Sequence, residues 1–167
     1  MTGDVQTREA IAGGVRRAGV VLGLGFGGFV DGIVLHQILQ WHHMLTEAGF
    51  PPDSVRNLQI NTLADGLFHA LTWVISLAGL IMLYRATVGR QHRPSGRVLA
   101  GAMVMGWGIF NVVEGLLNHY VLQIHHVRPG PNQALYDLAF LILGVALTAV
   151  GWWISRRAES VTVPATS

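Results

Sequence analysis

Four long runs of apolar residues, about 18–44, 61–86, 97–126 and 132–156, occupy most of this chain. Each is long enough to cross about 30 Å of hydrocarbon as a helix. Inside a bilayer only helices and closed barrels satisfy their own backbone polar groups, and runs of this length fit helices. The composition agrees: hydrophobic residues are 51% and charged residues 12% of the chain. A soluble domain carries about 25% charged residues, so too little polar surface is available to coat a soluble enzyme. The net charge is +2, all eleven basic residues are Arg, and no basic stripe is interleaved with aromatics, so no nucleic-acid partner is expected. Cysteine is absent, which excludes disulfides, thiolate metal sites and Cys nucleophiles. The first run contains Asp31 and is followed by no small-residue cleavage site, so it reads as a span rather than a cleavable signal peptide. The expectation is an all-α, single membrane domain over 1–167, a four-helix transmembrane bundle whose first partner is the lipid bilayer.

Arginine placement predicts the orientation. Arg8, Arg16, Arg17, Arg85, Arg90, Arg93, Arg97, Arg156 and Arg157 lie on one side of a four-span chain, against Arg56 and Arg128 on the other. Positive residues stay cytoplasmic, so both termini are expected inside. His92 falls in the Arg-rich loop and reads as solvated. The tail after Arg157 is short and polar and is expected to be disordered. Trp41, Trp152 and Trp153 read as an interfacial belt, and Trp73 and Trp107 as core.

An internal repeat organises the chain. Asp31, Gly32, His36, Gln40, His42 and His43 recur as Glu114, Gly115, His119, Gln123, His125 and His126, every pair separated by the same stretch of sequence. Asp65 pairs with Asp137 at a somewhat shorter separation, and at that separation His69 meets Leu141. The repeat unit is therefore a helix pair, about 18–86 and 97–156. Both units start and end on one side, so they are parallel and related by an axis along the membrane normal. Helices 1 and 3 are expected diagonal or packed at the centre, with their glycines permitting close approach.

Ionisable groups inside these spans carry the functional signal. Asp31, Asp65, Glu114 and Asp137 lie there with His36, His69 and His119. An unpaired Asp at a helix centre costs at least about 2.5–3.5 kcal/mol, so such groups face one another or a cation. At 1.5 Å per residue the three histidines share a depth of roughly 10–12 Å below the outer surface. Continued as helices, the chain places His36, Gln40 and His43 on one stripe, His119, Gln123 and His126 on another, and Asn61, Asp65 and His69 on a third. Imidazole with carboxylate suits copper(II), zinc, iron or manganese. The expected ligands are His36, His69, His119 and Asp65, with Asp137 as a further ligand or an acceptor behind one. Gln40, Gln123 and Asn61 are placed to orient the imidazoles. Asp31 and Glu114 form a deeper pair or a second metal position. His42, His43, His125 and His126 sit at the mouth, where they collect metal or contact a partner.

Residues 28–44, 61–69 and 118–126 resemble the signature of an uncharacterised bacterial family of predicted four-span membrane proteins. The resemblance covers most of residues 18–155. It implies the four-span fold and a bacterial inner-membrane location. It also implies a place beside copper-dependent respiratory oxidases and their assembly factors, and hence copper handling. The residues leave three functions open. One is a metal-binding accessory protein for such an oxidase. Another is a small membrane metalloenzyme with one or two metals activating water or dioxygen. The third is a metal-free polar network or proton relay. Without Cys, and with Met44 the one Met near the site, the donors disfavour a copper(I) shuttle. The metal's identity (copper, zinc or iron) and a homo-oligomeric state stay open at this point.

Overall fold

The computed structural model describes residues 2–90 and 94–160. His92, Arg93 and the tail beyond Ser160 lie outside the described residues. Helix α1, Thr2–Val30, continues without a break as a π-helical segment, Asp31–Ile38. Helix α2 covers Val55–Thr87. Helix α3, Gly96–Glu114, again runs into a π-helical segment, Gly115–Val121, and α4 covers Gln133–Ser160. Four helices are long and apolar enough to cross a membrane, and no strand occurs among the described residues.

Helices α1 and α3 pack on each other at the centre; α2 lies against α1 and α4 against α3. Glycine explains why the central pair comes so close. A Cβ on Gly23 would fall on the Met103 carbonyl, and one on Gly106 on the Val20 carbonyl. Backbone therefore meets backbone at this crossing, as small residues allow in membranes, where apolar side chains gain little by leaving lipid. Ala18 and Ala102 fill the same seam and are fully buried. Helix α2 turns Leu63, Leu67, Leu71 and Leu80 toward lipid. Trp73 is with them, 58% exposed, and is a lipid-facing residue rather than core.

The helical stretches stop earlier than the apolar runs. Helix geometry ends at Ile38 and Val121, not near 44 and 126. Bonds five residues apart, Leu39 N to Val34 O (2.8 Å) and Leu122 N to Leu117 O (2.7 Å), close the π-helical turns. Gln40 and Gln123 then take φ of 49° and 50°, and the chain reverses at each. The stripes drawn through Gln40, His43, Gln123 and His126 therefore do not form.

A candidate metal centre between the two chain reversals

The reversals drop two histidines back into the protein. His42 Nδ1 donates to the Val127 carbonyl at 2.9 Å, and His125 Nδ1 donates to the Met44 carbonyl at 3.2 Å. Each half of the chain thus braces a histidine of the other. Glu47 N to Ile124 O, 3.0 Å, ties the two loops together. A carbonyl oxygen only accepts, so Nδ1 carries the proton in both rings; the His42 Nε2, which has no partner, then presents a lone pair, while the His125 Nε2 is in hydrogen-bond contact with Glu114 Oε1.

Carboxylates stand behind His36 and His119, hydrogen-bonded to the first and at longer range from the second. His36 Nδ1 lies 2.9 Å from Asp65 Oδ1, and His119 Nδ1 lies 3.4 Å from Asp137 Oδ1. Asp65 also accepts from His43 Nδ1 (2.8 Å), Met44 N (2.9 Å) and Gln37 Nε2 (3.3 Å). Asp137 accepts from His126 Nδ1 (2.7 Å) and Val127 N (3.0 Å). Most contacts of the first half thus recur between the matching residues of the second.

Four imidazoles thereby turn Nε2 toward a common interior holding Asp31 and Glu114. His36 Nε2 is 3.3 Å from Asp31 Oδ2, and His119 Nε2 is 3.5 Å from Glu114 Oε2. His125 Nε2 is 2.8 Å from Glu114 Oε1. His42 Nε2 is buried and meets no hydrogen-bond partner. The His42 and His125 rings stack at 4.6 Å and 8°. His36 lies 5.7 Å and His119 5.2 Å from His125, so both rings share that neighbour. Ligand atoms of His36, His42 and His125 lie within 4.8 Å of one another, as do those of Glu114, His119 and His125. None of the four histidines exceeds 2% exposure. Burial first, then the neighbouring His125 and His36 rings, lowers the His42 pKa to about 2, so its ring stays neutral.

The donor set fits a transition metal. Ligating histidines characteristically give their other ring N–H to a carboxylate or carbonyl, which fixes tautomer and orientation. His36, His42 and His125 do so at Nδ1, and His119 Nδ1 has the Asp137 carboxylate 3.4 Å away. An imidazole nitrogen without a partner is also what a cation would satisfy.

The expected site residues divide between the interior and its supports. His36 and His119 face the interior, with Asp31 and Glu114 opposite their Nε2 atoms. His42 and His125, expected at the mouth, are central. Asp65 and Asp137 stand behind the imidazoles, on the Nδ1 side. His69 lies in neither close group: its Nδ1 donates to the Asp65 carbonyl at 2.8 Å, and its ring packs near Phe29, Phe68 and Gly32. His43 and His126 hold the two aspartates, and His126 Nε2 also lies 3.4 Å from Glu47. Gln40 and Gln123 are exposed and act through their backbone, as the turning points. Asn61 holds the loop rather than an imidazole: Oδ1 accepts from Leu45 N, and Nδ2 donates to Phe50 O and Asn57 O. The carbonyls of Met44 and Val127 carry no side-chain signal at all. Only the fold exposes their part.

The fold and cluster define a helical, four-span membrane protein with buried His and acidic groups able to hold a metal ion. The chain belongs to the family described as predicted membrane protein (DUF2243), whose model matches residues 18–158. Comparison with curated proteins and with solved structures yields no match.

Proposed function

We propose that this protein carries a resident transition-metal centre in the outer half of a bacterial inner membrane. His36, His42, His119 and His125 ligate through Nε2, with Asp31 and Glu114 as carboxylate ligands. Asp65, Asp137 and the Met44 and Val127 carbonyls orient the rings. The observation that carries this reading is the hydrogen bonding of His36, His42 and His125 at Nδ1, with Asp137 3.4 Å behind His119 Nδ1, which leaves the Nε2 atoms turned inward. Because the two close groups share His125, the centre accommodates one or two ions. Nitrogen and oxygen donors favour zinc, iron or copper(II). Such an ion activates water or dioxygen, so a small membrane metalloenzyme is the reading favoured by the burial of the ligands. A copper-handling accessory to a membrane oxidase is the second reading. It is favoured by His126, half-buried beside Glu47 at the same end of the bundle, where a metal would first arrive. The two helix pairs act as a duplicated unit, and both termini face the cytoplasm. A reporter fused after α4 that reads out on the external side would refute this orientation.

The test is elemental analysis of protein purified without a chelating column, before and after incubation with copper, zinc and iron. Bound metal is expected, with His125→Ala removing it and His69→Ala retaining it. Wild-type protein that stays metal-free throughout would leave only a hydrogen-bonded network, and both metal readings would fall.

A further inference from the structure

Two clefts open on the apolar sides of the bundle, and each reaches one of the two inward carboxylates. One, of about 490 Å³, lies between α1, α2 and α3 and reaches Glu114. The other, of about 290 Å³, lies between α1, α3 and α4 and reaches Asp31. They differ in chemistry. Leu24 and Ala64 line the first, and their repeat equivalents Trp107 and Tyr136 line the second. Phe140 lines the second as its repeat equivalent Phe68 lines the first, beside Phe110, and Trp41 adds a further ring to the second, which thus has four aromatic side chains against two. Asn111, which also lines it, is the repeat equivalent of Gly28.

Asn111 is the informative residue. It is 2% exposed, and its Oδ1 accepts no hydrogen bond. A buried carbonyl oxygen beside an apolar cavity is costly unless something donates to it. Asp31 supplies a second acceptor in the same cleft. The cleft rim is formed by Val30, Val34 and Leu143, which are 37–48% exposed on the lipid-facing surface. At the histidine end, Trp41 and Tyr136 lie 5.8 Å apart with the Arg128 guanidinium 5.1 Å and 5.7 Å from their rings. This stack closes the water side and leaves the lipid side open.

We infer that the Asp31 cleft binds a lipid-dissolved hydroquinone, its ring among Trp41, Trp107 and Phe140 and its hydroxyls donating to Asn111 Oδ1 and the Asp31 carboxylate. Two acceptors at the inner wall match a molecule with two donors, and four aromatic side chains match an aromatic ring. A volume at the lower end of the range usual for ligand pockets suits a single ring, with any tail passing out between Val30 and Leu143. Assigning this molecule to the metal centre as its substrate rests on the proposed function. The cleft's own chemistry does not.

The experiment is isothermal titration of the full chain in lipid nanodiscs with decyl-benzohydroquinone and with its dimethyl ether, which keeps the ring and tail and has no donors. Metal content is measured on the same samples, and the titration is repeated after chelation. The hydroquinone should bind about tenfold more tightly than the ether, the worth of one to two good hydrogen bonds. Asn111→Leu should reduce that preference to about threefold or less. Ala139 lies exposed on the cleft wall, so Ala139→Trp fills the space without entering the core, and it should abolish binding of both. Equal affinity for the two probes in wild-type protein, or binding that survives Ala139→Trp, overturns the inference. Protein that discriminates while holding no metal keeps the cleft and removes the metal reading. Protein that holds metal and does not discriminate does the reverse.

Discussion

Replacing Asp65 with Asn tests the anchoring behind the imidazoles with almost no change in volume. Asp65 is 1% exposed and accepts four hydrogen bonds, two at each oxygen. An amide keeps one oxygen and puts an NH2 against two former donors. Bonds to a charged partner are worth about 1.5–3 kcal/mol each, so losing two removes about 3–6 kcal/mol. Part is recovered where a half-buried ring such as His43 switches tautomer and accepts instead. A net loss of about 2–4 kcal/mol is expected, or a Tm fall of about 5–15 °C for a chain of this size. Metal affinity should fall about 10–100-fold, the usual consequence of losing a carboxylate that supports a ligating histidine. Asp137→Asn should cost less, because its His119 contact is longer, at 3.4 Å. The assay is scanning calorimetry in nanodiscs, with chelator competition for the metal. Wild-type chelator competition in Asp65→Asn, whatever happens to Tm, would show that Asp65 braces the loop and does not support a ligand.

Gly106→Val should separate α1 from α3 and lower Tm by about 10 °C or more, since overpacking costs about 1–3 kcal/mol even where side chains can yield and here the obstacle is backbone. Gly66→Ala, where a Cβ meets nothing within 4 Å, should leave Tm unchanged or slightly raised. Equal melting of the two variants contradicts the crossing. Acid should destabilise the protein: His42 has a folded pKa lowered to about 2 against an ordinary value near 6.5. The unfolded chain takes up this proton first, so stability is full above pH 6.5 and declines as pH falls toward 2. A His42→Gln variant should show a shallower decline over the same window in equilibrium unfolding, and an identical slope would exclude His42 as its source.

The four spans are legible in the sequence because length and apolarity alone define them. The inward groups Asp31, His36, Glu114 and His119 are legible too, because ionisable residues that recur in register within apolar runs need a common explanation. His42 and His125 are misplaced at the mouth for a definite reason. Stripe arithmetic assumes a continuous helix, and the helix ends at Ile38 and Val121. The reversal falls on Gln40 and Gln123, at positive φ, where Gly or Asn is the usual signal and Gln is none. Once the chain turns there, the histidines two residues on point inward instead of out. The π-helical turns just before it have no sequence mark either. His69 follows the helical rule correctly onto the α2 face of Asp65, but its Nδ1 is taken by the carbonyl one turn before.

The reciprocal bracing of His42 by Val127 and of His125 by Met44 has a consequence for how the protein is made. Membrane helices are threaded in chain order, so the first hairpin is complete while Val127 is still to be synthesised. Until then His42 has no carbonyl to receive its proton, and the end of α1 has no partner loop to close against. The interior is finished only when the fourth helix is in place. A truncated chain cannot assemble it, and two separately expressed halves should regain it only by finding each other in the bilayer.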